Sequence, residues 1–206
     1  MRASAVPQLV TSPVPEVEVP PPGSERIVFR PNVTQTRFRA REVLLGRNFF
    51  SEAVGTAPGE GTILVTRNRT VIPTGSMVKV DLTQLRSDEP ERDAFVKSIA
   101  LEVDRFPEAT FVPRSVSGMP ERLPDSRSVA FQLAGDLTIH GVTRPSTWTV
   151  AIDLVEADSL TGTAGTTVRL QDFGIEPPRV PIVVTVEDIV SLEISFVAAR
   201  EVVPGE

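Results

Sequence analysis

Apolar and polar residues alternate with a period of two along most of the chain after Ser24. In TQTRFRARE, Thr34, Thr36, Phe38 and Ala40 fall on one side and Gln35, Arg37, Arg39 and Arg41 on the other. In GSMVKVDLTQL, Val78, Val80 and Leu82 alternate with Lys79, Asp81 and Thr83. SVAFQLAGDLTI groups Val129, Phe131, Leu133 and Leu137, and STWTVAIDL groups Trp148, Val150, Ile152 and Leu154. DIVSLEISFVA does the same with Val190, Leu192, Ile194 and Phe196. Successive side chains of a strand point to opposite faces, so each run predicts a strand with one buried and one solvated face. Shorter candidates lie at Ile27–Phe29, Gly61–Thr66, Thr110–Val116 and Gly162–Leu170. Eight or nine strands separated by turn residues predict an all-β fold, an antiparallel sandwich or barrel.

One segment departs from this pattern. In SDEPERDAFVKSIALEVDRFPEATF, Asp88 precedes Glu91 by three residues, the spacing of a capping box, and Pro90 suits a first helical turn. Phe95 and Ile99 lie at helical spacing, so a short helix is expected from Asp88 to Ser98. Pro107 ends any continuation. The N-terminal segment carries six prolines between Pro7 and Pro22, too many for helix or sheet pairing. Residues 1–23 are therefore expected to be an extended linker, either a tether or a terminus without a role. A folded domain is expected over 24–200, with 201–206 as a tail.

The hairpin GDLTIHGVTRPSTWTV contains the single histidine, His140, and the single tryptophan, Trp148. His140 stands before Gly141, with Pro145 close behind, and is expected to serve the turn rather than act as a general base. Composition narrows the chemistry further. The net charge of −6 argues against non-specific nucleic-acid binding. The absence of cysteine excludes disulfides and thiolate metal sites, and one histidine cannot make a zinc site alone. No nucleophile motif or phosphate-binding glycine loop is present. No apolar run of about 20 residues predicts a transmembrane helix, and the first residues lack a signal-peptide core. Asp172 and Glu176 form a conceivable acid/base couple, and the Arg37–Arg39–Arg41 stripe a conceivable anion site. Solvated loop charges and the wet side of a strand are the readings preferred here. No cofactor or metal is expected.

GDLTIHGVTRPSTWTV resembles the most recognisable segment of the YceI-like family, the polyisoprenoid-binding, lipocalin-like barrels. Three further pieces follow in the family's order. LRSDEPERDAFVKSIALEVDRFPEATFVP resembles its Arg-Asp helix and Phe-Pro turn, with Arg92, Asp93, Phe106 and Pro107 in those places. LQDFGI resembles its late Asp-Phe-Gly segment, and VEDIVSLEISFVA its closing strand. One departure is Leu170, where family members often carry arginine, with Arg169 one place earlier. The entry region VLLGRNFFSEAVGTAPGEG also differs from the commonest form.

The resemblance implies an extended antiparallel barrel of about eight strands that holds an isoprenoid or similar long apolar ligand without catalytic turnover. It implies a periplasmic or secreted location; a cytoplasmic one is the alternative. The residues expected against the ligand are Phe38, Val80, Phe95, Phe131, Leu133, Trp148, Val150, Phe173, Ile194 and Phe196. The bound lipid would be the only prosthetic group, and a homodimer is left open. A filled barrel acting as a protein-interaction module is the competing function, followed by an enzyme using carboxylates at the barrel mouth. Periodicity shows which side chains face inward, not whether they fill the interior.

Overall fold

In the computed structural model, the described residues are 20–44, 50–120, 128–156, 158–176 and 183–204. Their strands are β1 (Glu25–Phe29), β2 (Gln35–Leu44), β3 (Phe50–Val65), β4 (Val71–Asp81), β5 (Arg86–Ser87), β6 (Glu108–Ser117), β7 (Ser128–Ile139), β8 (Val142–Glu156), β9 (Ser159–Arg169) and β10 (Val183–Val202). A single short α-helix, α1, spans Pro90–Phe95. Each strand of the series β2-β3-β4-β6-β7-β8-β9-β10 pairs antiparallel with the next, and β10 returns to β2. Eight strands thus close into a barrel, one of the two architectures the alternation allows and the one the family resemblance implies. Most of the predicted linker lies outside the described residues, and β10 runs two residues past the expected end of the domain.

The first barrel strand is broken in two. β1 and β2 both lie between β10 and β3, β1 against Ala198–Val202 and Gly61–Val65, and β2 against the earlier parts of both neighbours. At the break Asn32 takes a left-handed φ of 70°, and Thr34 N donates to Arg30 O. Pro58 stands opposite Gln35 at this junction, and Gly59 N donates to Thr34 O. A proline has no N–H for a ladder and is tolerated where the ladder is interrupted. This is why β3 continues through GTAPGEG, which reads as a turn in sequence. β4 likewise starts earlier than expected. Its register against β3 shifts between Thr62 and Leu64. Ser76 bridges the irregularity: its buried Oγ accepts from Leu64 N at 2.8 Å and donates to Ile72 O at 2.5 Å.

The inward rows follow the predicted alternation. Val78, Val129, Leu133, Leu137, Trp148, Val150, Val190 and Phe196 are buried. The side chain of Leu154 lies outside the described residues. Large rings lie over glycines. A Cβ at Gly135 would meet Phe111 Cζ at 2.8 Å and Val112 O at 2.3 Å, and one at Gly162 would meet Phe196 Cζ at 2.6 Å. Gly135 is therefore a socket for a ring rather than a source of empty space. The outward Arg37–Arg39–Arg41 row is a charge ladder: Arg37 and Arg39 reach Glu193, Arg39 also reaches Glu52, and Arg41 reaches Glu187.

The helix corrects two expectations. Asp88 makes no capping box; Glu89 is the N-cap, without a side-chain bond. Asp88 instead accepts from Arg92 Nη1 at 2.9 Å, four residues on. After Phe95 the chain widens into a π turn over Val96–Ala100, closed by Leu101 N donating to Val96 O. Such a turn bonds residue i to i+5 and shifts the facing positions by one. Ala100 consequently faces the barrel, and Ile99 is 64% exposed. Arg92 and Asp93 find separate partners: Arg92 holds Glu42, and Asp93 accepts from Ser87 N and Oγ.

His140 is a turn residue and also a tie. His140 and Gly141 carry φ values of 52° and 71°, the two positive angles of a type I′ hairpin between β7 and β8. Its Nδ1 lies 3.3 Å from Phe173 O, and its Nε2 2.9 Å from Glu102 Oε2. Phe106 packs edge-on against the imidazole at 4.8 Å. The hairpin, the Phe-Pro turn and the Asp-Phe-Gly turn are thereby locked into one end-piece. The bond with His140, aided by Arg105, holds the Glu102 carboxyl below its ordinary value of 4.5.

Two outcomes are expected. Ser76→Ala leaves a buried N–H and a buried C=O without partners and should lower the unfolding free energy by about 2 kcal/mol in urea denaturation. A carboxyl depressed by folding contributes stability that is complete above its unfolded value and is lost as pH falls through its folded value. Melting curves from pH 6 to 3 should therefore show a decline beginning near 4.5 that is shallower in Glu102→Gln; identical profiles would remove this tie from the account.

Candidate functional site

The barrel interior holds two chambers, of about 390 and about 800 Å³. Both fall in the range of small-molecule pockets, roughly 300–1,000 Å³. They are stacked along the axis, because individual strands pass from one to the other. On β10, Val190 and Leu192 line the larger chamber, Ile194 lines both, and Phe196 and Arg200 line the smaller. On β7, Leu137 and Ile139 line the larger chamber, while Val129, Phe131 and Leu133 line the smaller. Val78, Phe111, Trp148 and Ile194 line both and form a waist between them. The centroids of the Phe111 and Trp148 rings lie 5.7 Å apart there, in a tilted contact. Trp148 is buried, and its Nε1–H has no acceptor among the described residues. Along β10 from Val190 to Arg200, at about 3.3 Å per residue and a tilt near 40°, the bore runs on the order of 25 Å.

The ten residues singled out from the sequence all line this bore. Phe38, Val80, Phe95 and Phe173 lie on the larger chamber, and Phe131, Leu133, Val150 and Phe196 on the smaller. Trp148 and Ile194 stand at the waist. Strand register explains the grouping: Leu133 pairs with Trp148, Phe131 with Val150, and Val150 in turn with Ala164 opposite Ile194.

Of the small residues that make room in the larger chamber, the sequence pointed to Ala40 and not to the others. Ala40, Ala53, Gly55, Ala57 and Ala109 form much of its wall. A Cβ at Gly55 would fall 2.1 Å from Phe38 Cε1, so the glycine admits the Phe38 ring against the wall. Glu42 was also missed, although it continues the inward row Thr36–Phe38–Ala40. Its buried carboxylate accepts from Ser51 Oγ and from Arg92 Nη2, both at 3.3 Å. Removing two charges from water is costly, and this pair offsets the cost only by holding α1 to the rim. Leu170, at the place of the family's arginine, lines the larger chamber with an apolar side chain. Arg169 points outward to Asp188 at 3.7 Å and does not replace that arginine.

The two ends differ in charge. The smaller chamber is rimmed by Arg67, Arg69 and Arg200 against Glu25. The larger carries Arg92 against Glu42, Glu89 and Glu91. Asp172 and Glu176 are exposed and line neither chamber. No cluster of acidic and histidine side chains suited to a metal occurs among the described residues. None of their helices is long and apolar enough to cross a membrane.

Comparison with known proteins agrees with this architecture. A UPF0312 protein of Pseudomonas putida strain W619 is 37% identical over 114 residues, covering 52% of this chain and 56% of its own length. A UPF0312 protein of Pseudomonas fluorescens strain SBW25 is 36% identical over 129 residues, covering 59% and 63%. The matched segment thus spans little more than half of these relatives. Among solved structures, a polyisoprenoid-binding domain of Saccharophagus degradans, implicated in plant cell wall breakdown, superposes with a TM-score of 0.63 at 8% identity, over 85% of this chain and 98% of its own. Burkholderia cenocepacia BcnA superposes at 0.59 and 15% identity, over 80% and 95%. These likenesses speak for the fold. The family model for the YceI-like domain matches residues 29–198, and the chain therefore belongs to the YceI-like family.

Proposed function

We propose that this protein binds a long, slender apolar chain, an isoprenoid lipid or a similar amphiphile, inside the barrel and carries or sequesters it without chemical turnover. The observation that supports this most is the end-to-end arrangement of the two chambers, which share four lining side chains. Two apolar chambers meet at a waist of four side chains, a shape that suits a chain rather than a compact ring system. Burying such a chain yields roughly 0.8 kcal/mol per CH₂, so affinity needs no reactive group. The polyisoprenoid-binding neighbour from Saccharophagus degradans supports the same ligand class. The chambers count against a filled barrel acting only as an interaction module. We place the carrier in the periplasm or outside the cell on family membership alone.

The test fills the bore. Val150→Trp adds volume to the smaller chamber and Ala40→Phe to the larger. Each should keep a melting temperature within a few degrees of the parent and lose the lipid found by mass spectrometry of an organic extract. In a close-packed core the same substitutions would cost about 1–3 kcal/mol each. Strong destabilisation of both variants, together with a parent whose extract contains no lipid, would overturn the proposal.

A further inference from the structure

The opposite charge of the two ends gives the bore a direction. Arg67, Arg69 and Arg200 gather at the smaller chamber from two separate parts of the chain, the β3–β4 turn and the end of β10. They do so on a protein whose net charge is −6. The rim meets solvent: Arg67 is exposed, and the Arg200 and Glu25 side chains are about one third exposed. Arg67 is held in place because Gly23 leaves room for it. A Cβ there would lie 2.1 Å from Arg67 Nε, and Nε donates to Gly23 O at 3.3 Å. Arg69 Nη1 donates to Pro120 O, and Arg200 Nε lies 3.5 Å from Glu25 Oε2. A guanidinium offers five N–H donors in a planar fork. Among the described residues each of these contacts engages one nitrogen, which leaves further N–H donors on guanidiniums that line the chamber. Guanidinium forks match oxyanions, carboxylate and phosphate alike.

We propose that the bound amphiphile carries an anionic head, a carboxylate or a phosphate, seated on Arg67, Arg69 and Arg200, with its tail running past Trp148 into the larger chamber. This rests on the lipid-binding reading above and adds the head group and the orientation. The reverse orientation would put the anion beside Glu42, Glu89 and Glu91, where Arg92 is already paired with Glu42 and Asp88.

Isothermal titration calorimetry of the delipidated full chain with three ligands of one tail tests this: geranylgeraniol, geranylgeranoic acid and geranylgeranyl phosphate. One or both anions should bind about tenfold or more tightly than the alcohol at low salt, and the advantage should shrink as salt is raised. The more favoured anion identifies the head. Arg67→Gln with Arg69→Gln should abolish the advantage of the anions over the alcohol. Arg114→Gln, an exposed arginine that pairs with Asp136 and lines neither chamber, controls for net charge and should preserve it. Arg200→Gln alone should lower it by a smaller factor. If all three ligands bind equally to the parent, the head-group assignment fails and lipid binding stands. If none of them binds, both fail.

Discussion

The structure depends on a mismatch between the width of a closed eight-stranded sheet and the size of the residues that face into it. Such a barrel is just wide enough for large side chains to fill or for one ligand to enter. Here the bulky rings cluster at the waist, where Phe111 meets Trp148, and at Phe29–Phe196 near one end. The wall formed by β2 and β3 carries Ala40, Ala53, Gly55 and Ala57. Hydrogen bonding around the ring keeps the strands apart, so the wall cannot collapse onto these small residues. The interior space is a consequence of closure and composition together.

Other features preserve that space. The His140–Glu102–Phe173 contacts, with Phe106 packed beside them, fasten three connections at the larger chamber's end. The Arg92–Glu42 pair draws α1 to the same end, and the π turn directs Ala100 rather than Ile99 inward. At the other end the break between β1 and β2 brings the start of β1 beside the β3–β4 turn, placing Glu25 and Arg67 on one rim. Polar residues absent from the bore are therefore concentrated at its mouths.

Much of this was legible in sequence, and what was missed has physical causes. Period two fixes which way a side chain points, so Phe131, Leu133, Trp148, Val150, Ile194 and Phe196 could be assigned inward before any coordinates. It carries no information on volume, so the hollow interior could not be read. Only the last part of β3 was read as a strand, because Pro58 and its neighbouring glycines break the alternation before it, whereas they mark a ladder interruption visible only once β1 and β2 share a gap. Helical spacing misplaced Ile99 because a π turn follows from tertiary packing, not from local pattern. The arginine rim joins residues 67, 69 and 200, whose proximity exists only after closure. Family resemblance supplied the fold and a ligand class, while Leu170 shows this chain lining its larger chamber without the usual arginine.

Trp148 permits a direct examination of the central claim, because it is the chain's one tryptophan and stands where the two chambers meet. The decisive measurement is quenching of its fluorescence by long-chain lipids brominated near the head, at mid-chain or at the tail end. A chain threaded through a continuous bore should quench most strongly from mid-chain and less from either end. Emission unchanged by all three lipids, or reduced no further than by aqueous bromide, would contradict a lipid-filled barrel.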